Sequence, residues 1–421
     1  MGKEIPKSAL EAAYVHRKYV HFDTPLSRLA CKQLVCDPEA VRQHSFYPFI
    51  RHDNVRNKFK RIGPGLVKKS KKVREIRYAA HADAAIYAYY NFLLTERLEV
   101  ELKARGLSEN VIAFRALKKS NVDFAQEAFE WIDCHRPCTA LGFDVRDFFG
   151  SLNHRLLRDQ WASLMGFQSL PGDHFAVFKS LTRHASVELI AARRALDLSR
   201  TSLGRLDRLC DATAFRNAIR GGNLIEVNAK DRGIPQGSPI SAALSNIYML
   251  PFDEKVKAVI EGLGGLYRRY CDDILVIVPG ADVEAICKLV ESELAALALT
   301  IQDTKTVKSH FDAGKGPVPL PYLGLTYDGA QVFLRASGIS RFYVKMRRGV
   351  KQFRDAKRTD GGVALLVQRR KNLLNRYSEH APKNGRSFLK YAKMAARRTG
   401  SNVIGSQLRA HRKRLKSLIE H

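Results

Sequence analysis

Two consecutive carboxylates, Asp272 and Asp273, stand between Tyr270–Cys271 and the run ILVIV. That run is apolar enough to be a buried strand, which puts the acids at the mouth of a core strand and not on a free surface. Like charges a few ångströms apart repel, and a divalent cation between them is the simplest relief. A solvated hairpin turn also uses Asp freely, so the pair alone leaves both readings open. Asp144 adds a third acid. It lies in LGFDVRDFF, another apolar segment, and two antiparallel neighbours would bring it beside Asp272. Three acids from two strands suit two magnesium ions, with manganese as the alternative. Magnesium binds through one or two carboxylates plus substrate phosphates, and a metal pair stabilises both the attacking and leaving oxygens of phosphoryl transfer.

The elements that must position these acids can be read around them. TALGFDVRDFF and LYRRYCDDILVIVP are rich in β-branched and aromatic residues and bounded by breakers, so both read as strands. Between them GIPQGSPIS, Gly233 to Ser241, has the glycines and prolines of a tight turn whose backbone approaches a ligand before a helix starts. SPISAALSNIYML then reads as a helix ending near Pro251. Upstream, a helix is expected through HADAAIYAYYNFLLTERLEVELKARG. The fold class expected is α+β, a small antiparallel sheet backed by helices.

The charge says what such a site would act on. The 421 residues carry 71 Lys and Arg against 42 Asp and Glu, a net +29. A surface that positive seeks a polyanion, and nucleic acid is the common one. Residues 331–421 hold 24 of the cations and 4 of the acids, so the excess is concentrated at this end. It reads as four helices: SRFYVKMRRGVKQFRDA, VALLVQRRKNLLNRYSEH, GRSFLKYAKMAARR and SQLRAHRKRLKSLIEH. Their aromatics Phe342, Tyr343, Phe353, Tyr377, Phe388 and Tyr391 fall at core-compatible spacing. No secretory signal and no membrane-length apolar run is visible, and seven irregularly spaced cysteines suit reduced thiols, so a soluble cytoplasmic protein is expected. Cys134 and Cys138 in CHRPC hint at zinc, but no second pair completes a site.

Taken in order, GFDVRDFF, GIPQGSPISAALSNIYM and YCDD resemble the palm of reverse transcriptases. The resemblance implies a right-hand polymerase fold: fingers over 1–139, palm over 140–329 with an inserted fingers segment at about 166–225, and a basic helical thumb over 330–421. It implies that Asp144, Asp272 and Asp273 hold the metals together with the Val145 backbone carbonyl, and that Gln236 and Gly237 line the nucleotide and template. Phe149, five residues after Asp144, matches the steric gate that leaves no room for a ribose 2′-hydroxyl. Asp147 is at the wrong offset to bind that hydroxyl and reads as a surface acid paired with a nearby Arg. Lys72 and Arg74 match the pair on a hairpin that covers the triphosphate, and Lys305 the cation near the departing pyrophosphate. Tyr322, Leu323 and Gly324 match the hairpin that grips the primer. Deoxynucleotides and an RNA–DNA or DNA product duplex are the partners this implies.

Among such enzymes, VREIRYAAHADAAIYAYYNFLL, VIAFRALKKSNVDFAQEAFEWI and SQLRAHRKRLKSLIEH look like the bacterial defence-associated reverse transcriptases of type 2. The VTG signature usual in retron enzymes is absent. This likeness implies a structured noncoding RNA copied as a dedicated template during antiphage defence, with Arg200, Arg205 and Arg208 in the 166–225 segment as candidate contacts. Two other readings stay open: a template-independent or protein-primed DNA polymerase of abortive-infection type, and a non-catalytic RNA-binding scaffold.

Overall fold

The run from Ile274 to Val278 governs the architecture, because all five of its side chains are buried and a strand buried on both faces needs two layers of cover. The computed structural model describes residues 7–63, 66–199, 201–280, 282–312, 318–358, 362–378 and 387–420. Its strands are β1 (Phe49–Gly63), β2 (Leu66–Tyr78), β3 (Cys138–Asp144), β4 (Ala185–Glu188), β5 (Glu226–Val227), β6 (Leu266–Tyr270), β7 (Asp273–Val278), β8 (Val307–Phe311), β9 (Leu320–Tyr322), β10 (Leu325–Tyr327) and β11 (Val332–Leu334). The central sheet runs β6-β7-β3-β8, every pair antiparallel.

Strand alternation divides this sheet between two cores. Ile274, Val276 and Val278, with Leu141 and Phe143, face a core closed by helices His81–Ala104, Ser241–Tyr248, Leu250–Gly262 and Val283–Ala296. Leu275 and Ile277, with Ala140, face a second core closed by helices Asn121–Cys134 and Phe388–Thr399 and by the small sheet β11-β10-β9. The chain is thus α+β, with an antiparallel sheet between helical layers.

The β1–β2 hairpin is long, pairing from Ile50–Tyr78 out to Gly63–Leu66. At its base β1 pairs in parallel with β4, and Val187, Phe215 and Ile219 pack with Ile50 and Phe22. Part of the segment expected as an insertion therefore joins the N-terminal hairpin and not the central sheet. Within it Arg205 and Arg208 are exposed, while Arg200 lies outside the described residues.

Helix His81–Ala104 follows the expected span. Its own N-cap residue, Ala80, supplies no side-chain acceptor; Asp23 does so from a distance, accepting from His81 N and Ala82 N at 2.9 Å each. Several boundaries differ from the sequence reading. Helix Ser241–Tyr248 stops earlier, and Pro251 stands in the first turn of the next helix, where its missing N–H is of no consequence. LYRRYCDDILVIVP is a hairpin, broken at Cys271–Asp272. The strand at TALGFDVRDFF ends at Asp144 and a short helix, Phe148–Ser151, follows. The last basic helix is two, Asn402–Gln407 and His411–Glu420. Phe342, Tyr343 and Tyr377 are buried among the C-terminal helices, with Phe353 and Phe388 packed against them. Cys134 is exposed, Cys138 is buried, and no zinc site forms among the described residues. No helix among them is long and apolar enough to cross a membrane.

His21 is wholly buried, its Nδ1 accepting from Phe22 N at 2.8 Å and its Nε2 without a partner. Burial, then repulsion from His81, pushes its pKa down to about 3. In the unfolded chain it titrates near its ordinary value of 6.5, so acidification protonates the unfolded state first and stability falls with pH. His21→Leu should shrink the loss of unfolding free energy between pH 7 and pH 5 by about 2 kcal/mol, measured by urea denaturation at both pH values.

Candidate active site

Asp144 and Asp273 stand directly opposite each other in the β3–β7 register. The alternation that sends Ala140, Leu275 and Ile277 to the second core puts both acids on that same face, with Cβ atoms about 4.5–5.5 Å apart in such a pair. The sequence reading set Asp144 beside Asp272; the hairpin shifts this by one residue. Asp272 belongs to the two-residue turn that joins β6 to β7, with Tyr270 opposite Asp273. The other turn residue, Cys271, has φ +61°, a left-handed backbone that usually falls to glycine.

Backbone bonds fix this turn to the end of β3. Val145 N donates to the Asp272 carbonyl at 3.3 Å, while Gln302 N donates to the Asp144 carbonyl at 2.7 Å and Arg146 N to Thr300 O at 2.9 Å. Val145 thus bonds residue 272 on one side and faces Ile301 on the other. In extended backbone a residue's N–H and C=O point the same way, which turns the Val145 carbonyl toward the aspartate turn.

The loop from Gly233 to Ser241 packs beside the short helix that follows β3. Gly233 has φ +91° and Gly237 φ +116°, conformations that require glycine here. A Cβ on Gly237 would lie 2.7 Å from the Arg77 carbonyl, and Arg77 N donates to the Gln236 carbonyl at 2.9 Å. The loop is therefore pinned to the base of β2. A Cβ on Gly237 would also lie 3.1 Å from Ile76 Cγ2. Lys72 and Arg74 share the period-2 face of Ile76, so both half-buried cations line the side of the hairpin that meets the loop. Ile234 N donates to the Phe149 carbonyl at 2.9 Å, which brings the half-buried Phe149 against the same loop. Asp147 is exposed with φ +44° and makes no ion pair with an arginine among the described residues.

The remaining wall joins Asp273, Leu323 and Gly324, expected from the sequence, to Tyr270, Arg335 and Tyr391, which the sequence did not single out for the site. A cavity of about 400 Å³ is lined by Asp273, Tyr270, Leu323, Gly324, Arg335 and Tyr391, among others. Asn121 Nδ2 donates to the Leu323 carbonyl at 2.7 Å and Arg335 N to the Gly324 carbonyl at 3.1 Å, so the Leu323–Gly324 turn is tied to the start of helix Ala336–Arg358. Tyr322 does not share this wall: it is buried in the second core, and its hydroxyl has no partner.

Charge in the site is unbalanced. Asp273 is exposed to solvent yet crowded by its neighbours. Desolvation first, then repulsion from Asp272 and Asp144, pushes its pKa up to about 6, against the pull of Arg335 and Lys305. Lys305 donates an ammonium hydrogen bond to Asp144 Oδ2. Among the described residues no three His, Cys, Asp or Glu side chains gather tightly enough to hold a metal unaided. The donor set still fits magnesium, which keeps waters and substrate phosphates and needs only one or two carboxylates from the protein.

Residues 90–327 match the family model of the reverse transcriptase (RNA-dependent DNA polymerase). The chain belongs to this family. Reverse transcriptases use divalent metal ions, in keeping with the acid pair. Over 67 residues the chain is 36% identical to the Retron Mx162 reverse transcriptase of Myxococcus xanthus, a match covering 16% of this chain and 14% of that protein. Among solved structures, the apo telomerase of Candida tropicalis truncated from its C-terminal domain matches at 13% identity and a TM-score of 0.41, over 66% of this chain and 54% of that one. The RNA-dependent RNA polymerase of a human picobirnavirus matches at 11% identity and a TM-score of 0.40, over 77% and 54%.

Gly237→Ala should destabilise the protein by about 1–3 kcal/mol, because the new Cβ meets both a positive φ and the Arg77 carbonyl. Gly262→Ala, where a Cβ would meet nothing within 4 Å beyond its own helix backbone and chain neighbours, should not. Equilibrium denaturation of the two variants checks the contrast.

Proposed function

We propose that this reverse transcriptase is an active RNA-directed DNA polymerase that copies a structured noncoding RNA bound to it. The observation that carries the reading is the opposition of Asp144 and Asp273, with Asp272 in the adjoining turn, on the face that opens toward the basic C-terminal helices. Fingers are assigned to 1–139, palm to 140–329 with an inserted fingers segment at about 166–225, and thumb to 330–421.

In this reading the primer 3′-hydroxyl oxygen attacks the α-phosphorus of a deoxynucleotide, and the bond to the β-phosphate oxygen breaks to release pyrophosphate. Asp144, Asp272, Asp273 and the Val145 carbonyl would hold two magnesium ions, which when bound would lower the hydroxyl pKa and neutralise charge on the leaving group. Lys72 and Arg74 hold the triphosphate from the hairpin side, Gln236 and Gly237 position base and template, and Phe149 excludes the 2′-hydroxyl. Lys305 is assigned to offset charge on the departing pyrophosphate, a role supported by its hydrogen bond to Asp144. The Leu323–Gly324 turn, with Arg335, holds the primer end, and the thumb helices clamp the duplex through its phosphates without reading sequence.

The family branch we assign is that of the defence-associated type 2 enzymes, on the likeness of residues 73–94, 111–132 and 406–421. Sequencing RNA and DNA that co-purify with the wild-type and Asp272→Asn proteins tests this reading. A recurrent structured RNA with its complementary DNA, the DNA absent from the variant, is expected; random RNA or non-complementary DNA would contradict it.

Two substitutions separate the roles. Asp272→Asn should lower primer extension by roughly 10³-fold without loss of fold, read by single-nucleotide incorporation and circular dichroism. Phe149→Val should lower discrimination between deoxy- and ribonucleotides by roughly 10–100-fold, read as the ratio of kcat/KM values for the two.

A further inference from the structure

Arg269 occupies an inward position on β6, and neither it nor Asp253 on helix Leu250–Gly262 has any exposed surface. Its guanidinium grips Asp253 with both prongs, Nε to Oδ1 and NH2 to Oδ2, each at 2.6 Å. Tyr267 donates to the same Oδ1 at 2.5 Å. The third nitrogen, NH1, donates to Asn246 Oδ1 at 3.1 Å and to the Cys271 carbonyl at 3.2 Å. Asn246 is itself held by its Nδ2 bond to Ala113 O at 3.0 Å. The Arg269 backbone is fixed as well, through Asn110 O at 2.7 Å and Ile112 N at 3.0 Å.

Burying a charged pair this deeply is a poor route to stability, since apolar residues of the same volume commonly do as well or better. The core around the pair is otherwise built largely of apolar side chains. What apolar side chains cannot do is donate a hydrogen bond to the Cys271 carbonyl. Cys271 is the residue with the left-handed backbone, and such a conformation persists at a side-chain-bearing residue only when its surroundings impose it. Arg269 bonds this turn from the core side, and Val145 bonds the Asp272 carbonyl from the β3 side.

We propose that Arg269 is a positioning residue for the acid turn: clamped by Asp253, it fixes the Cys271 carbonyl and so sets where Asp272 and Asp273 stand relative to Asp144. The inference rests on the polymerase reading above. Lysine could keep the charge opposite Asp253, but one ammonium cannot span the carboxylate, Asn246 and the turn carbonyl together.

The test compares the full chain with Arg269→Lys and with the double variant Arg269→Met/Asp253→Leu, each extending a DNA primer on an RNA template. Tm is measured alongside kcat and the KM for deoxynucleotide. Both variants should melt within a few degrees of the wild type, hold KM within about threefold and lose roughly 10²-fold in kcat, the effect of reacting groups displaced by about an ångström. A purely structural role would leave kcat tracking Tm, so full kcat in either folded variant would overturn the inference. Arg269→Lys keeps the test decisive if the double variant does not fold. Asp272→Asn, run in parallel, separates the two levels. Wild-type activity there would overturn the site reading and this inference with it; an inactive Asp272→Asn beside fully active Arg269 variants would overturn this inference alone.

Discussion

The repulsion between Asp144 and Asp273 is the constraint on which the site turns. Two carboxylates directly opposite each other on neighbouring strands are unfavourable, and a third follows in the adjoining turn. The raised pKa of Asp273 reflects desolvation first and repulsion from Asp272 and Asp144 after it, and the Lys305 bond to Asp144 relieves part of the conflict. A sheet buried on both faces makes the conflict hard to escape, because β7 cannot slip by one residue without exchanging its two cores. The apolar run behind the acids thus fixes the register that forces them together.

Around that fixed pair, the other walls are docked by backbone contacts where side chains would be in the way. Glycine at 237 lets the loop meet the base of the long hairpin, and glycine at 324 lets the turn after β9 meet the C-terminal helices. Tyr391 Oη would lie 3.0 Å from a Cβ at position 324, so this approach too leaves little room for a side chain. Central sheet and basic helices accordingly meet at one cleft, and the hairpin meets the loop that packs on the short helix after β3.

Much of this was legible because the signals were local. A DD pair before ILVIV, an acid in LGFD and a glycine-proline loop between them each carry their meaning within a few residues, as does the helical period of the basic C-terminal end. What escaped depended on tertiary contacts. The offset of one residue in the acid pairing follows from a two-residue turn with a left-handed cysteine, for which YCDD contains no glycine to give warning. Arg269 reads in LYRRY as one more basic residue of a cationic protein; its burial depends on Asp253, which lies on a different element. Tyr322 reads as part of a primer-facing hairpin, yet strand alternation turns it into the core. Arg335 and Tyr391 reach the cleft only because two helices fold back onto the sheet.

The central claim is that the three aspartates form a cation site completed by substrate. Crystals grown with a primer–template and a non-hydrolysable deoxynucleotide, with manganese in place of magnesium, would locate the ions by anomalous scattering. The expected result is manganese about 2 Å from the carboxylates of Asp144 and of Asp272 or Asp273, with Lys305 displaced from Asp144. Manganese absent from these carboxylates, with Lys305 still bonded to Asp144 while the nucleotide is bound, would contradict it.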